Sequence, residues 1–261
     1  MIRTLLTALA LLFHLMLTAQ FNWQWARQLT GEIQPSMYGL VVDADGNTVV
    51  CGGFYGTLTI GTLPALTSAG QSDLFVAKFA TDGTPLWVRS AGGTDFDDAL
   101  DVAVDGTGRI TITGYFQSTS ITIGSTTLNK LGNMDILVAQ YDANGNAQWA
   151  QRFGWTANSG LEWGRAIVAD ATGDLYVAGQ YKTALQVPGL PDLQGCNGRE
   201  QGFLIKLDAD GNGIWSLMPQ CTGDASLGLT ICDALAVAPD GSVYLGGDFR
   251  GDTAYFATDT L

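Results

Sequence analysis

Two tryptophans, a carboxylate and a guanidinium lie close together in the segment GWTANSGLEWGR. These residues are Trp155, Glu162, Trp163 and Arg165. Aromatic rings beside a carboxylate and a guanidinium are typical of sites that hold a sugar or a peptide, because rings stack and charged groups hydrogen-bond. The segment therefore predicts a ligand-binding site. The alternative is that both tryptophans cover a contact between neighbouring repeats.

Carboxylates are concentrated in a second segment, Thr94 to Asp98, which has the sequence TDFDD. Paired acids hydrolyse glycosides when one is held protonated and the other is ionised. Acids that are neighbours in sequence on an exposed loop seldom reach that geometry. The single histidine, His14, lies in a segment that we expect to be removed, which leaves no imidazole for acid–base or nucleophilic catalysis. We therefore predict no catalytic residues and no enzyme activity, with a polysaccharide hydrolase or lyase as the alternative.

Asp-rich turns such as Asp43-Ala-Asp-Gly-Asn47 look at first like calcium loops. An EF-hand-like loop needs a later bidentate acid, which is missing here, and the glycine comes too early. Hairpin turns need the same residue types, because Asn, Asp and Gly tolerate a left-handed backbone. We predict no metal and no cofactor, with calcium at these turns as the alternative.

Four cysteines are present, which in an exported chain favours a disulfide. The candidates are Cys196, Cys221 and Cys232, which are expected on one face. Cys221–Cys232 would close the shortest loop, and Cys196–Cys221 is the main rival. Cys51 falls inside a strand pattern and is predicted to be a buried thiol.

The elements that must position these residues are repeated β-hairpins. Phrases such as DVAVDGTGRITITGYF and ILVAQYDANGNAQW alternate apolar and polar residues on both sides of a Gly turn, and each recurs along the chain every 62 to 68 residues. Four antiparallel strands per repeat with no helical periodicity are the pattern of a β-propeller blade. The predicted fold is all-β, with about 3.5 to 4 blades present, as the N-terminal portion of a propeller of about six to eight blades. A complete four-bladed ring with one incomplete blade is the alternative.

The repeat boundaries follow from this pattern. A lone fourth strand is expected at 22–29, of the kind that completes the last blade of a ring. The predicted units are a signal peptide at 1–19 and propeller repeats at 20–261, with blade 1 at 38–91, blade 2 at 100–153, blade 3 at 165–218 and a partial blade 4 at 233–261.

The N-terminal residues predict export. Arg3 precedes an apolar stretch from Leu5 to Leu17, and small residues up to Ala19 suit cleavage near that position. The net charge of −13 argues against nucleic acid as a partner. We expect a secreted or cell-surface protein with no membrane span in the mature chain and with further domains downstream.

The phrases VAVDGTGRITITGYF and DILVAQYDANGNAQWAQRFG strongly resemble the bacterial beta-propeller repeat family (SBBP). Blades 1 and 2 match best, whereas blade 3 has Gln201 in place of the usual Asp. The resemblance implies a scaffold or recognition module at the cell surface, without catalytic residues. The expected partner is a protein or carbohydrate bound on the face of the longer connections, and a purely architectural spacer is the alternative.

Overall fold

The computed structural model describes residues 24–31, 35–156, 161–195, 200–218 and 229–250. In these ranges every regular element is a β-strand, which confirms the all-β prediction. The strands are, in chain order, β1 (Thr30–Gly31), β2 (Ser36–Val42), β3 (Thr48–Phe54), β4 (Thr57–Thr59), β5 (Leu66–Thr67), β6 (Asp73–Phe79), β7 (Pro85–Ala91), β8 (Asp97–Val104), β9 (Ile110–Phe116), β10 (Ser120–Ile123), β11 (Thr126–Asn129), β12 (Asp135–Tyr141), β13 (Ala147–Phe153), β14 (Trp163–Ala169), β15 (Leu175–Tyr181), β16 (Ala184–Leu185), β17 (Leu193–Gln194), β18 (Gln201–Leu207), β19 (Gly213–Leu217), β20 (Leu229–Val237) and β21 (Val243–Arg250).

Three four-stranded antiparallel sheets follow one another along the chain, each with its strands in sequence order. Sheet one is β2-β3-β6-β7, sheet two is β8-β9-β12-β13 and sheet three is β14-β15-β18-β19, while β20 and β21 pair as the described part of sheet four. The sheets begin at Ser36, Asp97, Trp163 and Leu229, a few residues before the predicted repeats. Among the described residues no sheet closes on itself.

Small additional strands occupy the connections between the second and third strands. They pair as β4-β5, β10-β11 and β16-β17, and β1, which precedes sheet one, adds to the first of these pairs through β4. The alternating sequences of these connections thus form short ribbons that cover the edges of the apolar clusters. Ile121 and Ile123 of β10 are each at most 3 % exposed.

The hairpin turns are closed by their aspartates. Oδ1 of Asp43 accepts hydrogen bonds from the backbone N–H groups of Asp45 at 3.0 Å and Asn47 at 2.8 Å, and Gly46 has a φ of 81°. Burial alone would raise the pKa of Asp43. Hydrogen bonds from Lys78 and Asn47 outweigh it and lower the pKa to about 2. In the described ranges no three His, Cys, Asp or Glu side chains converge as a metal site, and calcium at these turns stays a hypothesis.

The apolar cores lie between consecutive sheets. One cluster joins Val49 and Val76 of sheet one to Ile112 and Leu137 of sheet two. A second joins sheet two to sheet three in the same way. Consecutive sheets therefore remove the apolar faces that they turn towards each other from water, which is the main stabilising contribution in repeated folds.

A tryptophan and an arginine in the fourth strand of sheet one donate hydrogen bonds to the hairpin turn between the third and fourth strands of sheet two. Nε1 of Trp87 donates to the carbonyl oxygen of Ala143 at 3.1 Å, and Nε of Arg89 donates to that of Gly145 at 2.8 Å. A Cβ atom at Gly145 would lie 2.8 Å from the Trp87 ring, and the φ of this glycine is 77°. The Trp149 ring packs on Gly211 of sheet three in a similar position, but its Nε1 has no hydrogen-bond partner among the described residues, and Gln151 stands where sheet one has Arg89.

The segment before sheet one repeats this contact without forming the predicted strand. Residues 24–29 are not in a strand, and the strand of this region is β1, which pairs with β4. Nevertheless, Nε of Arg27 donates to the carbonyl oxygen of Gly83 at 2.8 Å, and Trp25 packs on that glycine. The segment thus occupies the place of a fourth strand. The backbone pairing that defines a strand is absent because no described sheet lies beside it.

Replacing Trp87 with alanine tests this contact. Because the ring is 8 % exposed between two sheets, we expect Trp87→Ala to lower the free energy of unfolding by about 3 kcal/mol or more, as measured by urea denaturation. The neighbouring Leu86→Ala is the control. Leu86 is 46 % exposed, and its change should stay within about 0.5 kcal/mol. Equal losses in both variants would contradict the interpretation.

Candidate functional site

The first strand of every sheet carries a β-bulge near its start. The pairing of β2 with β3, of β8 with β9, of β14 with β15 and of β20 with β21 each skips one residue at the same place. A bulge re-aims the extra side chain and leaves it without a partner across the ladder. We refer to these extra residues as the bulge residues: Tyr38, Leu100, Arg165 and Asp233.

A glycine of the second strand makes each bulge sterically feasible. A Cβ atom at Gly179 would lie 1.8 Å from the carbonyl oxygen of Trp163, which is far inside van der Waals contact. The corresponding distances are between 1.8 and 2.0 Å in all sheets, at Gly52, Gly114, Gly179 and Gly247. The close approach of the two strands therefore requires glycine in each repeat.

The bulge residues are brought near one another because the first strands are neighbours. In space β2 contacts β8, β8 contacts β14, and β14 contacts β20. Asp101 of β8 accepts a hydrogen bond from the backbone N–H of Ile167 of β14 at 2.8 Å. Consecutive bulge residues reach each other at Arg165 and Asp233, whose Nε and Oδ1 atoms are 3.4 Å apart.

The structure brings Trp163 and Arg165 of the predicted site together. The guanidinium carbon of Arg165 lies 4.7 Å from the centroid of the Trp163 ring, and its Nε donates to Oε1 of Gln180 at 3.0 Å. Trp163 also packs against Tyr115, with the ring centroids 5.0 Å apart. The guanidinium is thus held from several sides while the side chain stays 30 % exposed.

Glu162 lies beneath the surface, at 1 % exposure. Burial, reinforced by the charge of Asp135, raises the pKa of Glu162 to about 8, although a backbone hydrogen bond from Trp155 opposes the shift. Its Oε2 atom has no hydrogen-bond partner among the described residues. Trp155 is half-buried and meets Glu162 through its backbone. The structure thus places the Glu162 side chain below the surface, and the ligand-binding role of Trp155, Glu162, Trp163 and Arg165 stays a prediction.

Register explains the burial of Glu162. Glu162 lies three residues before the bulge residue Arg165, and Asp97 lies three residues before the bulge residue Leu100. The two acids are therefore equivalent, and Asp97 is also fully buried. Asp97 accepts hydrogen bonds from the backbone of Gly93, Gln117 and Ser118 and from the hydroxyl of Ser118. An acid at this position ties down the loop before the first strand, so the TDFDD acids also serve the fold.

Tyr115 and Gln180 near the bulges were not identified from the sequence, and Asp98 was considered there only as one of the TDFDD acids. Asp98 accepts hydrogen bonds from the Ser72 hydroxyl at 2.5 Å and the Tyr115 hydroxyl at 2.6 Å. A Cβ atom at Gly53 would lie 1.8 Å from Oδ1 of Asp98, so this carboxylate reaches across onto sheet one. Comparison of the aligned repeats could have identified this position, because its residue type varies. The residue before the aromatic end of each second strand is Gly53, Tyr115, Gln180 or Asp248.

Aromatic side chains extend this surface towards sheet one. Tyr55 and Phe96 pack edge to face with their centroids 6.3 Å apart, and Phe96 is 36 % exposed. Burial raises the pKa of Tyr55, and the charges of Asp98 and the neighbouring Tyr38 add to the shift. Tyr38 is the most exposed aromatic residue of this group, at 52 %.

The described cysteines are buried. Cys51 donates through Sγ to the carbonyl oxygen of Ala99 at 3.6 Å, in agreement with a buried thiol inside a strand. Cys232 is 2 % exposed, and burial raises the pKa of its thiol to about 11. Cys196 and Cys221 lie outside the described residues, so the disulfide stays a prediction.

Two surface grooves lie away from the bulge residues. One is bordered by Lys78, Trp87 and Arg89, and the other by Arg152 and Leu190. Neither contains a bulge residue. The first follows the contact between sheets one and two, so its shape is explained by packing.

Comparisons with known proteins show similarity to repeat proteins. No protein-family profile matches the chain. An uncharacterized WD repeat-containing protein of Acanthamoeba polyphaga mimivirus is 29 % identical over 38 % of this chain, and the Regulatory protein FlaEY of Caulobacter vibrioides is 30 % identical over 55 %. The matched regions span 8 % and 15 % of those relatives.

The alignment with a crystal structure of a protein of unknown function from Bacteroides caccae covers 70 % of this chain and 67 % of the chain in that structure. The TM-score of 0.26 and the identity of 14 % are too low to carry an argument about fold. In the described ranges, no helix is long and apolar enough to cross a membrane. The chain is thus an all-β protein similar to repeat proteins, and the SBBP resemblance stays a prediction.

The burial of Glu162 predicts a pH dependence of stability. The pKa is raised from 4.5 to about 8, so the folded state binds the proton more tightly than the unfolded chain. Stability from this group is present below the unfolded pKa and is lost as the pH rises towards about 8. Glu162→Gln should remove this loss. At high pH its free energy of unfolding, measured by urea denaturation, should exceed that of the wild type by more than about 1 kcal/mol. Glu200→Gln is the control for the chemistry of the change. Parallel pH profiles of wild type and Glu162→Gln would refute the prediction.

Proposed function

We propose that this chain is part of an exported β-propeller that acts as a non-catalytic recognition module at the cell surface. Three features support a propeller. Four-stranded sheets follow in sequence order, their first strands lie side by side, and a tryptophan packs on a turn glycine of each of sheets one to three. The similarity to a WD repeat-containing protein agrees, because WD repeats form propeller blades.

The observation that carries the propeller is the uncovered face of sheet one. Leu40 is 61 % exposed, whereas Val102 and Ile167, which follow the bulge at the same distance in sheets two and three, are each 4 % exposed. Those residues are buried by the sheet before them. Leu40 would be buried in the same way by a preceding blade, and Trp25 already occupies the place of that blade's outer strand.

A recognition role is supported by the end of the sheets where the first strands begin. There the bulge residues differ in chemistry from repeat to repeat, while the glycines beneath them do not. The acids of this region hold loops in place through hydrogen bonds, as Asp97 does. We therefore assign no catalytic residue and propose a protein or carbohydrate partner, on a scaffold of the SBBP type.

Export is tested by expressing the chain with its natural N-terminus in a Gram-negative host. We expect N-terminal sequencing of the exported protein to begin at Gln20, because small residues precede that position. Surface labelling of intact cells should mark the protein. Retention of residues 1–19 in an unlabelled protein would contradict both export and surface location.

The ring is tested by placing a charge on the uncovered face. In a closed ring Leu40→Asp buries a carboxylate between blades, and the free energy of unfolding should fall by several kcal/mol. In an open array the same change is nearly neutral, within about 0.5 kcal/mol. Leu86→Asp, on the exposed outer strand, is the matched control. Urea denaturation of the natural full-length protein distinguishes the two, and a neutral Leu40→Asp refutes the ring.

A further inference from the structure

The bulges separate a fixed backbone from a variable side chain. Each bulge depends on a glycine whose missing Cβ lets a carbonyl oxygen approach, so the backbone is the same in every sheet. The side chain that the bulge presents is aromatic at Tyr38, apolar at Leu100, cationic at Arg165 and anionic at Asp233. Structural positions in these repeats keep one chemistry, as the glycines do. Variation at a re-aimed position indicates that it serves recognition.

Among the bulge residues, Arg165 has the best-defined contacts. Its Nε donates to Oε1 of Gln180 at 3.0 Å and lies 3.4 Å from Oδ1 of Asp233, and the guanidinium lies on the Trp163 ring. The side chain is 30 % exposed, and its described hydrogen bond and ion pair both involve Nε rather than the Nη atoms. A planar guanidinium held in this way presents parallel N–H donors that match a carboxylate.

The neighbours of Arg165 favour a polypeptide over a sugar. Trp163 already packs against Tyr115 and Arg165, which reduces the ring surface left for stacking a sugar. Leu100 offers an apolar contact, Asp233 an acceptor for a cation, and Tyr38 an exposed ring. Apolar and oppositely charged positions in one row suit the alternating side chains of an extended peptide.

We propose that the bulge residues form one binding row for an extended polypeptide segment, in which the guanidinium of Arg165 binds a carboxylate of that segment. This inference rests on the proposed recognition function. Asp233 and Gln180 act as positioning residues that fix the guanidinium, while Tyr38 and Leu100 contact apolar side chains of the ligand.

The test uses phage-displayed random heptapeptides selected on the purified full-length protein. Selected peptides should be enriched in Asp and Glu, and synthetic copies should bind wild type measurably by biolayer interferometry. Arg165→Lys keeps the positive charge but removes the planar pair of N–H donors, so the affinity for the selected peptides should fall about tenfold or more. Arg109→Lys is the matched control. Its side chain is 29 % exposed at the opposite end of sheet two and pairs with Asp105, and binding should stay within about twofold.

Tyr38→Ala provides a second variant that leaves the interior intact, because the ring is half exposed. It should weaken peptide binding about fivefold. Circular dichroism spectra of all variants should match wild type. Peptide binding that is equal in wild type, Arg165→Lys and Tyr38→Ala overturns the row.

Polygalacturonate is the carbohydrate probe. If it binds in an Arg165-dependent manner and no peptide is selected, the polypeptide assignment is wrong and the recognition function stands. If neither peptides nor polygalacturonate bind the folded protein, the binding row is wrong. The stability of Leu40→Asp reports on the ring independently of either outcome.

Discussion

The packing of one sheet onto the next determines most of what this structure can do. A sheet with two apolar faces gains little by folding alone, since one hairpin or one sheet leaves about half of its apolar side chains in water. Here the gap between sheets is filled by aliphatic side chains at the centre and by a tryptophan at the rim. The hydrogen bonds of Trp87 and Arg89 to the next turn set the register of this packing. Apolar burial provides most of the energy, and the polar contacts select one alignment.

Buried carboxylates illustrate how two opposing effects are resolved at different positions. For Asp43, hydrogen bonds that include Lys78 outweigh burial, and the pKa is lowered. For Asp97, burial wins over hydrogen bonds from Ser118, Gly93 and Gln117, and the pKa is raised. A hydrogen bond to a charged group contributes about 1.5 to 3 kcal/mol, while burying an ion costs several. Asp43 forms an ion pair with Lys78 at 2.8 Å, whereas the hydrogen-bond donors to Asp97 are neutral. The pKa of Asp135 stays raised although Arg152 lies 3.8 Å away, because burial is the largest effect there.

Much of the fold could be predicted from the sequence because strand alternation and turn residues are local signals. The hairpins around Asp43 and Asp142 appear where the turn chemistry placed them. The bulges could not be predicted, because one skipped residue changes the pairing without changing the alternation enough to see. The burial of Glu162 could not be predicted for a related reason: it depends on the register of β14 against β15, and the charge of Asp135 that helps to raise its pKa comes from another sheet. Trp163 and Arg165 were identified because their types are rare enough to stand out.

The glycine beneath each bulge has a consequence for how such proteins diversify. Because the bulge residue has no partner across the ladder, its side chain can be exchanged without altering the pairing of the strands or the packing between sheets. Changes in binding preference are thereby uncoupled from changes in stability at these positions. Single codon changes at these positions would alter the presented side chain one repeat at a time, while the glycines keep the close approach of the two strands unchanged.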